Sequence, residues 1–94
     1  MADNALIQKG RAAAALLKSE DFKATVEAVQ LQAFQGWSRT QPEQTKEREE
    51  FYFLLLATNK LLAFLEEMVS SGKFEERKAA EKEARAKAGA TRNL

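Results

Sequence analysis

Carboxylates are the first residues in this sequence that can do chemistry. Glu47, Glu49 and Glu50 fall close together, and Glu66 and Glu67 are adjacent. Paired carboxylates can hold a hard cation or exchange protons with a substrate. Either use needs further ligands or a pocket. Histidine and cysteine are both absent, which removes the commonest general base and every thiolate site. Glu47 and Glu50 flank Arg48 and precede an apolar run, the pattern of a solvated helix face. No Gly-rich phosphate loop, metal-ligand spacing or nucleophile motif occurs. The expectation is therefore no catalytic residue, no metal site and no cofactor.

The second chemistry is phosphate contact. Lys78, Lys82 and Arg85 recur at helical spacing, and Arg92 follows. These are the candidate phosphate contacts. Four glutamates are interleaved with them, and no aromatic residue follows Phe74 to stack on a base. A solvated helix is the favoured reading, with nucleic acid a secondary one.

The third chemistry is apolar association. The stretch "EEFYFLLLATNKLLAFLEEMV", residues 49–69, carries too many large apolar side chains for one side of a helix. Its main stripe is Phe51, Leu54, Leu55, Thr58, Leu61, Leu62, Leu65, Met68 and Val69, repeating at 3 and 4 as a core-facing seam does. Phe53, Leu56 and Phe64 fall away from it, flanked by Tyr52. Fully burying one such side chain is worth about 1.5–3 kcal/mol. Either the N-terminal helix folds back over them or they form a partner interface. Tyr52, Phe53, Leu56 and Phe64 are the candidate interface residues. Trp37, near a helix end, reads first as a structural residue closing the end of a hairpin and second as a partner anchor.

These residues need helices to position them. The composition is rich in helix formers, with four Gly and one Pro. Residues 4–18 read as an Ala-rich helix capped by Asp3 or Asn4. Ser19 can cap a second helix over 20–37, with Glu20 and Asp21 favourably placed against its dipole. Whether the two helices merge is open. Phe22, Val26, Val29, Ala33 and Trp37 make one stripe on the second. Thr40 and Glu43 match a capping box, and Pro42 suits a first helical turn. A long helix is expected over 41–71, ended by Gly72 as a left-handed cap. The short connection predicts an antiparallel hairpin, with Phe22, Val26, Val29, Trp37, Phe51, Leu55, Leu62 and Leu65 as its core.

The fold class is thus all-α: an antiparallel helical hairpin with a short N-terminal helix and a charged C-terminal helical tail. Residues 1–72 form the hairpin domain. Residues 73–94 form a charged tail, helical or partly disordered, with too few large apolar residues for a core of its own.

Charge is unevenly spread along the 94 residues. The net charge is +1, but residues 19–72 are net acidic and both flanks are net basic. Such asymmetry can orient self-assembly or point a basic tail at an acidic partner. The first apolar stretch is interrupted by Gln8, Lys9, Gly10 and Arg11, so it is not read as a signal peptide. The uncharged run from Phe51 to Asn59 is too short for a membrane span.

The stretch from Leu16 to Lys73 resembles short helical-hairpin proteins of unknown function encoded by tailed bacteriophages. The resemblance is carried by "LLKSEDFKATVEAV", by Trp37 and the polar turn after it, and by "EREEFYFLLLATNKLLAFLEEMVSSGK". It implies a phage-encoded helical protein of the virion or its assembly, located in the virion or the host cytoplasm. It transfers no catalytic residue. The function expected is binding and assembly, through a homo-oligomer or another structural protein. The alternatives are a nucleic-acid-associated accessory protein, similar to a small terminase subunit, and a small inhibitor of a host enzyme.

Overall fold

The computed structural model describes the backbone of residues 3–92 and the side chains of 3–89. The chain is all-α. Three helices follow one another: α1 (Asn4–Lys18), α2 (Glu20–Ser38) and α3 (Thr45–Arg92).

Each start has a local cause. The Asp3 carboxylate accepts from the Ala5 and Leu6 N–H groups at 3.0 and 3.2 Å, satisfying two of the free donors at the N-terminus of α1. Ser19 is the only residue between α1 and α2. Its backbone is extended (φ −67°, ψ 123°), and its hydroxyl accepts from Phe22 N–H at 3.2 Å.

The apolar pattern explains why α1 and α2 do not merge. The inward positions of α1 are Leu6, Gly10, Ala13 and Leu17; those of α2 are Phe22, Val26, Val29, Ala33 and Gly36. At about 100° per residue, one unbroken helix would point these two stripes ~150° apart. One extended residue re-phases them, so both face α3.

The α2–α3 connection differs from expectation. Thr40 does not cap α3, and Pro42 is not in its first turn, because α3 begins at Thr45. Thr40 is engaged elsewhere: its N–H and its hydroxyl both donate to the Trp37 carbonyl, at 3.1 and 2.6 Å, closing the end of α2. Gln44 takes over at the start of α3. Its side-chain oxygen accepts from Gln41 N–H at 2.7 Å, and its carbonyl accepts from Arg48 N–H at 3.0 Å.

Gly72 does not end the long helix. It lies inside α3, and no residue described has the positive φ that a left-handed cap requires. Its role is close approach. A methyl group on Gly72 would come within 3.0 Å of Gly10 Cα and 3.1 Å of the Leu6 carbonyl oxygen. One on Gly10 would reach within 2.8 Å of the Met68 carbonyl oxygen and 2.9 Å of Gly72 Cα. The two glycines let the backbones of α1 and α3 touch, a use for Gly72 other than the stop that was expected. α3 crosses the expected boundary at residues 72 and 73 without a break.

Pairings along the molecule run in opposite order. Asp3 N–H donates to Glu75, Gly10 meets Gly72, Gln30 donates to Asn59, Phe51 packs on Gly36, and Arg48 lies over Trp37. α1 and α2 therefore follow each other antiparallel along α3, with little contact between themselves. The 48 residues of α3 span roughly 72 Å at 1.5 Å per residue. The molecule measures 78 × 24 × 15 Å, a rod rather than a globule.

The core is a narrow seam along this rod. On α3 it runs Phe51, Leu55, Thr58, Leu62 and Leu65, then Val69, Gly72, Glu76 and Ala79. The spacing is a strict alternation of 4 and 3, and every one of these positions is buried or half-buried. A repeat of 3.5 residues is that of helices wrapping left-handedly on one another. Among the described residues no large side chain is fully buried.

The beginning of the expected tail is part of this packing. Glu75 is buried against α1, accepting from Asp3 N–H at 3.1 Å and pairing with Lys78 at 3.4 Å. Arg11 of α1 pairs with Glu76 at 3.0 Å. Beyond Ala79 all described side chains are exposed, and α3 extends past α1 alone.

Candidate interaction surface

Two arcs of α3 lie outside the seam, and on or between them stand the exposed Tyr52, Phe53, Leu54, Leu56, Leu61 and Phe64. The first carries Leu54, Ala57, Leu61 and Phe64, spaced 3, 4 and 3. It is a second heptad stripe, turned ~100° around the helix from the buried seam. Leu54 is 42% exposed, Leu61 49% and Phe64 60%. Met68, next in the repeat, is half-buried. Beside this stripe Phe53 is 57% exposed, and its ring sits 5.9 Å from that of Tyr52 in a tilted arrangement.

The second arc faces the other way. Tyr52 borders a shallow cleft shared with Ala33, Phe34 and Trp37 of α2 and with Phe51 and Leu55 of α3. Its volume is about 210 Å³, below the usual range of small-molecule sites, which begins near ~300 Å³. Arg48 lies over Trp37, its guanidinium 4.4 Å from the centre of the ring. That guanidinium also donates to the Thr40 hydroxyl at 3.1 Å and the Thr40 carbonyl at 3.3 Å. This one side chain ties the α2–α3 turn to α3.

All four interface residues named from the sequence, Tyr52, Phe53, Leu56 and Phe64, are exposed. They do not form one patch. Tyr52 belongs to the cleft side, Phe64 to the second stripe, and Phe53 and Leu56 to the back of the helix between them. α1 does not cover these four residues; it packs further along α3, over residues 68–76.

The expected hairpin core is distributed as follows. Val26 and Leu65 are buried, and Phe22, Val29, Phe51, Leu55 and Leu62 are half-buried. Trp37 is instead an exposed residue at the rim of the cleft, held by Arg48. It stands at the mouth of the turn, where α3 has only just begun and offers little to cover an indole.

Leu54 and Leu61 were expected in the core-facing stripe and lie outside it. Two 3,4-spaced patterns overlap on this helix, and residue types alone do not say which one faces α2. The signal that separates them is Gly36. The atoms nearest to it belong to the Phe51 ring, which a side chain there would overlap, and this fixes the register of the buried seam.

The charged candidates do not converge. Glu47, Glu49, Glu50, Glu66 and Glu67 are all exposed. Among the described residues, no group of three or more acidic side chains is placed to hold a metal ion. Lys78 pairs with Glu75 and lies 5.4 Å from the centre of the Phe74 ring. Lys82 and Arg85 are exposed on the overhanging part of α3. The Arg92 side chain lies outside the described residues. No described helix is long and apolar enough to cross a membrane.

Comparison of the chain with protein-family models, curated proteins and solved structures finds no match.

Proposed function

We propose that this protein is a non-enzymatic helical assembly and binding module. In this reading it is an antiparallel helical hairpin with a short N-terminal helix and a charged helical tail, and it docks through the outward face of α3. One observation carries the reading: a second heptad-spaced apolar stripe on α3, with Leu54, Leu61 and Phe64 each 42–60% exposed and Phe53 beside it. Scattered exposed apolar residues are ordinary, but a continuous stripe at helix-packing spacing marks a contact surface.

A rod with a thin seam and a second stripe suits end-to-end or side-by-side assembly better than catalysis. The resemblance of Leu16 to Lys73 to short phage-encoded hairpin proteins supports a place in a virion or in virion assembly. The exposed Lys82 and Arg85 leave phosphate contact as a second reading, in which DNA binding falls steeply with salt and disappears on deleting residues 80–94.

The docking reading is tested by comparing the immobilised full-length chain with its Phe53→Asp/Phe64→Asp double variant. The expectation is that the variant keeps its helicity and loses whatever the parent retains from a lysate or from its own kind. Identical retention by both would remove the α3 face from consideration.

A further inference from the structure

We propose that the outward stripe of α3 is occupied by a second copy of this chain. The two α3 helices pack antiparallel about a two-fold axis between Leu61 and Phe64. This rests on the reading of α3 as a docking helix and names its occupant.

Layer matching is the first support. With the axis at that point, Leu61 lies opposite Phe64 of the partner subunit, and Leu54 opposite Ser71 of the partner subunit. Each layer joins one position from each half of the 3,4 repeat, as antiparallel helix pairs do. The stripe is therefore complementary to itself, which a two-fold contact requires.

Charge selects the direction. The stripe begins after Glu47 and Glu50 and, carried on at the same spacing, passes Glu75, which is buried against α1 and paired with Lys78, and ends in Lys78, Lys82 and Arg85. Antiparallel packing puts Glu47 opposite Lys78 of the partner subunit; the one like-charge layer it makes sets Glu50 opposite Glu75 of the partner subunit, whose carboxylate is turned to α1 and paired with Lys78. Parallel packing would set each of these charges against its own copy. Like charges in apposition oppose association, whereas complementary ends steer it.

The apolar area fits a small, weak contact, and the length of α3 fits the pairing. Leu54, Leu61 and Phe64 together expose on the order of 250 Å², taking 150–250 Å² for a whole aromatic and somewhat less for each leucine. A standard interface takes roughly 800 Å² from each partner, a little over half of it apolar. Past Ala79, none of the described helices of its own chain lies beside α3. In the antiparallel pair that overhang runs along the α2–α3 turn of the other copy, where the acidic start of α3 lies.

Sedimentation equilibrium of the full chain at ~1–100 μM tests the pairing. The expected result is a mass of twice 10.5 kDa, with a dissociation constant in the micromolar range, the weak end for interfaces of this size. Leu61→Glu should weaken association by at least ~30-fold, since a central apolar anchor is lost in both copies. Leu31→Glu, on the side of α2 away from α3, should leave it unchanged. If Leu61→Glu loses helicity, Phe64→Asp serves in its place.

Direction is read by spin-label distances, which the absence of cysteine makes direct. A label at Ala80→Cys should give ~50 Å between copies in the antiparallel pair, from 1.5 Å of rise per residue on each side of the axis. A parallel pair would give less than ~20 Å. A helical monomer at 100 μM overturns the proposal, and so does a short Ala80 distance. A monomer whose α3 face still captures another polypeptide overturns self-pairing and leaves the docking reading standing.

Discussion

Gly10→Ala should destabilise this protein even though alanine is the better helix former. In an open helix the exchange stabilises by about 1 kcal/mol, because glycine loses more backbone freedom on folding. At Gly10 the added methyl would lie 2.8 Å from the Met68 carbonyl oxygen and 2.9 Å from Gly72 Cα. Both are backbone atoms of a long helix, so relief requires α1 to move outward by several tenths of an ångström. That movement would loosen Ala13, which is buried, and stretch the Asp3–Glu75 and Arg11–Glu76 contacts. Overpacking of a tight contact typically costs about 1–3 kcal/mol, and loosened polar contacts add to it. The net expectation is a loss of about 1–2 kcal/mol after the propensity gain.

The control is in the same molecule. Gly89 has nothing within 4 Å of an added methyl, so Gly89→Ala should show the bare propensity effect, up to about 1 kcal/mol of stabilisation. The assay is urea unfolding followed by circular dichroism, at one fixed protein concentration because association shifts apparent stability. The opposite signs of the two substitutions are the test. A Gly10→Ala protein as stable as the parent, or more stable, would refute the view that helix contact at Gly10 and Gly72 sets the position of α1.

Three other substitutions probe the remaining joints. Ser19→Ala removes the hydroxyl that accepts from Phe22 N–H and should cost about 1 kcal/mol by urea unfolding. Leu65→Ala, at the best-buried leucine of the seam, should cost about 2–5 kcal/mol and bring the chain close to unfolding at room temperature. Arg48→Ala frees both Trp37 and the Thr40 oxygens. It should shift and quench-sensitise Trp37 fluorescence, the chain's single tryptophan, while lowering stability by about 1–2 kcal/mol.

Much of the local structure was legible in the residues. α1 was readable from Asp3 and the Ala-rich run, and α2 from Ser19 and its acidic first turn. These features act on the nearest backbone groups, within three or four residues, so sequence order contains them. The apolar excess on α3 was legible for the same reason: seven large side chains between Phe51 and Leu61 cannot all face one helix.

What escaped the sequence depended on distant partners. Gly72 looks like a stop because glycine usually ends a helix, and only the arrival of Gly10 from the far end of the chain gives it another use. Thr40 looks like a cap until the Trp37 carbonyl claims its hydroxyl. Leu54 and Leu61 look like core until Gly36 admits Phe51 and turns them outward. Short-range capping and propensity settled where helices form. The glycine contacts, acting between residues 15 to 62 positions apart, settled how closely α1 lies on α3 and which of the two stripes of α3 was left exposed.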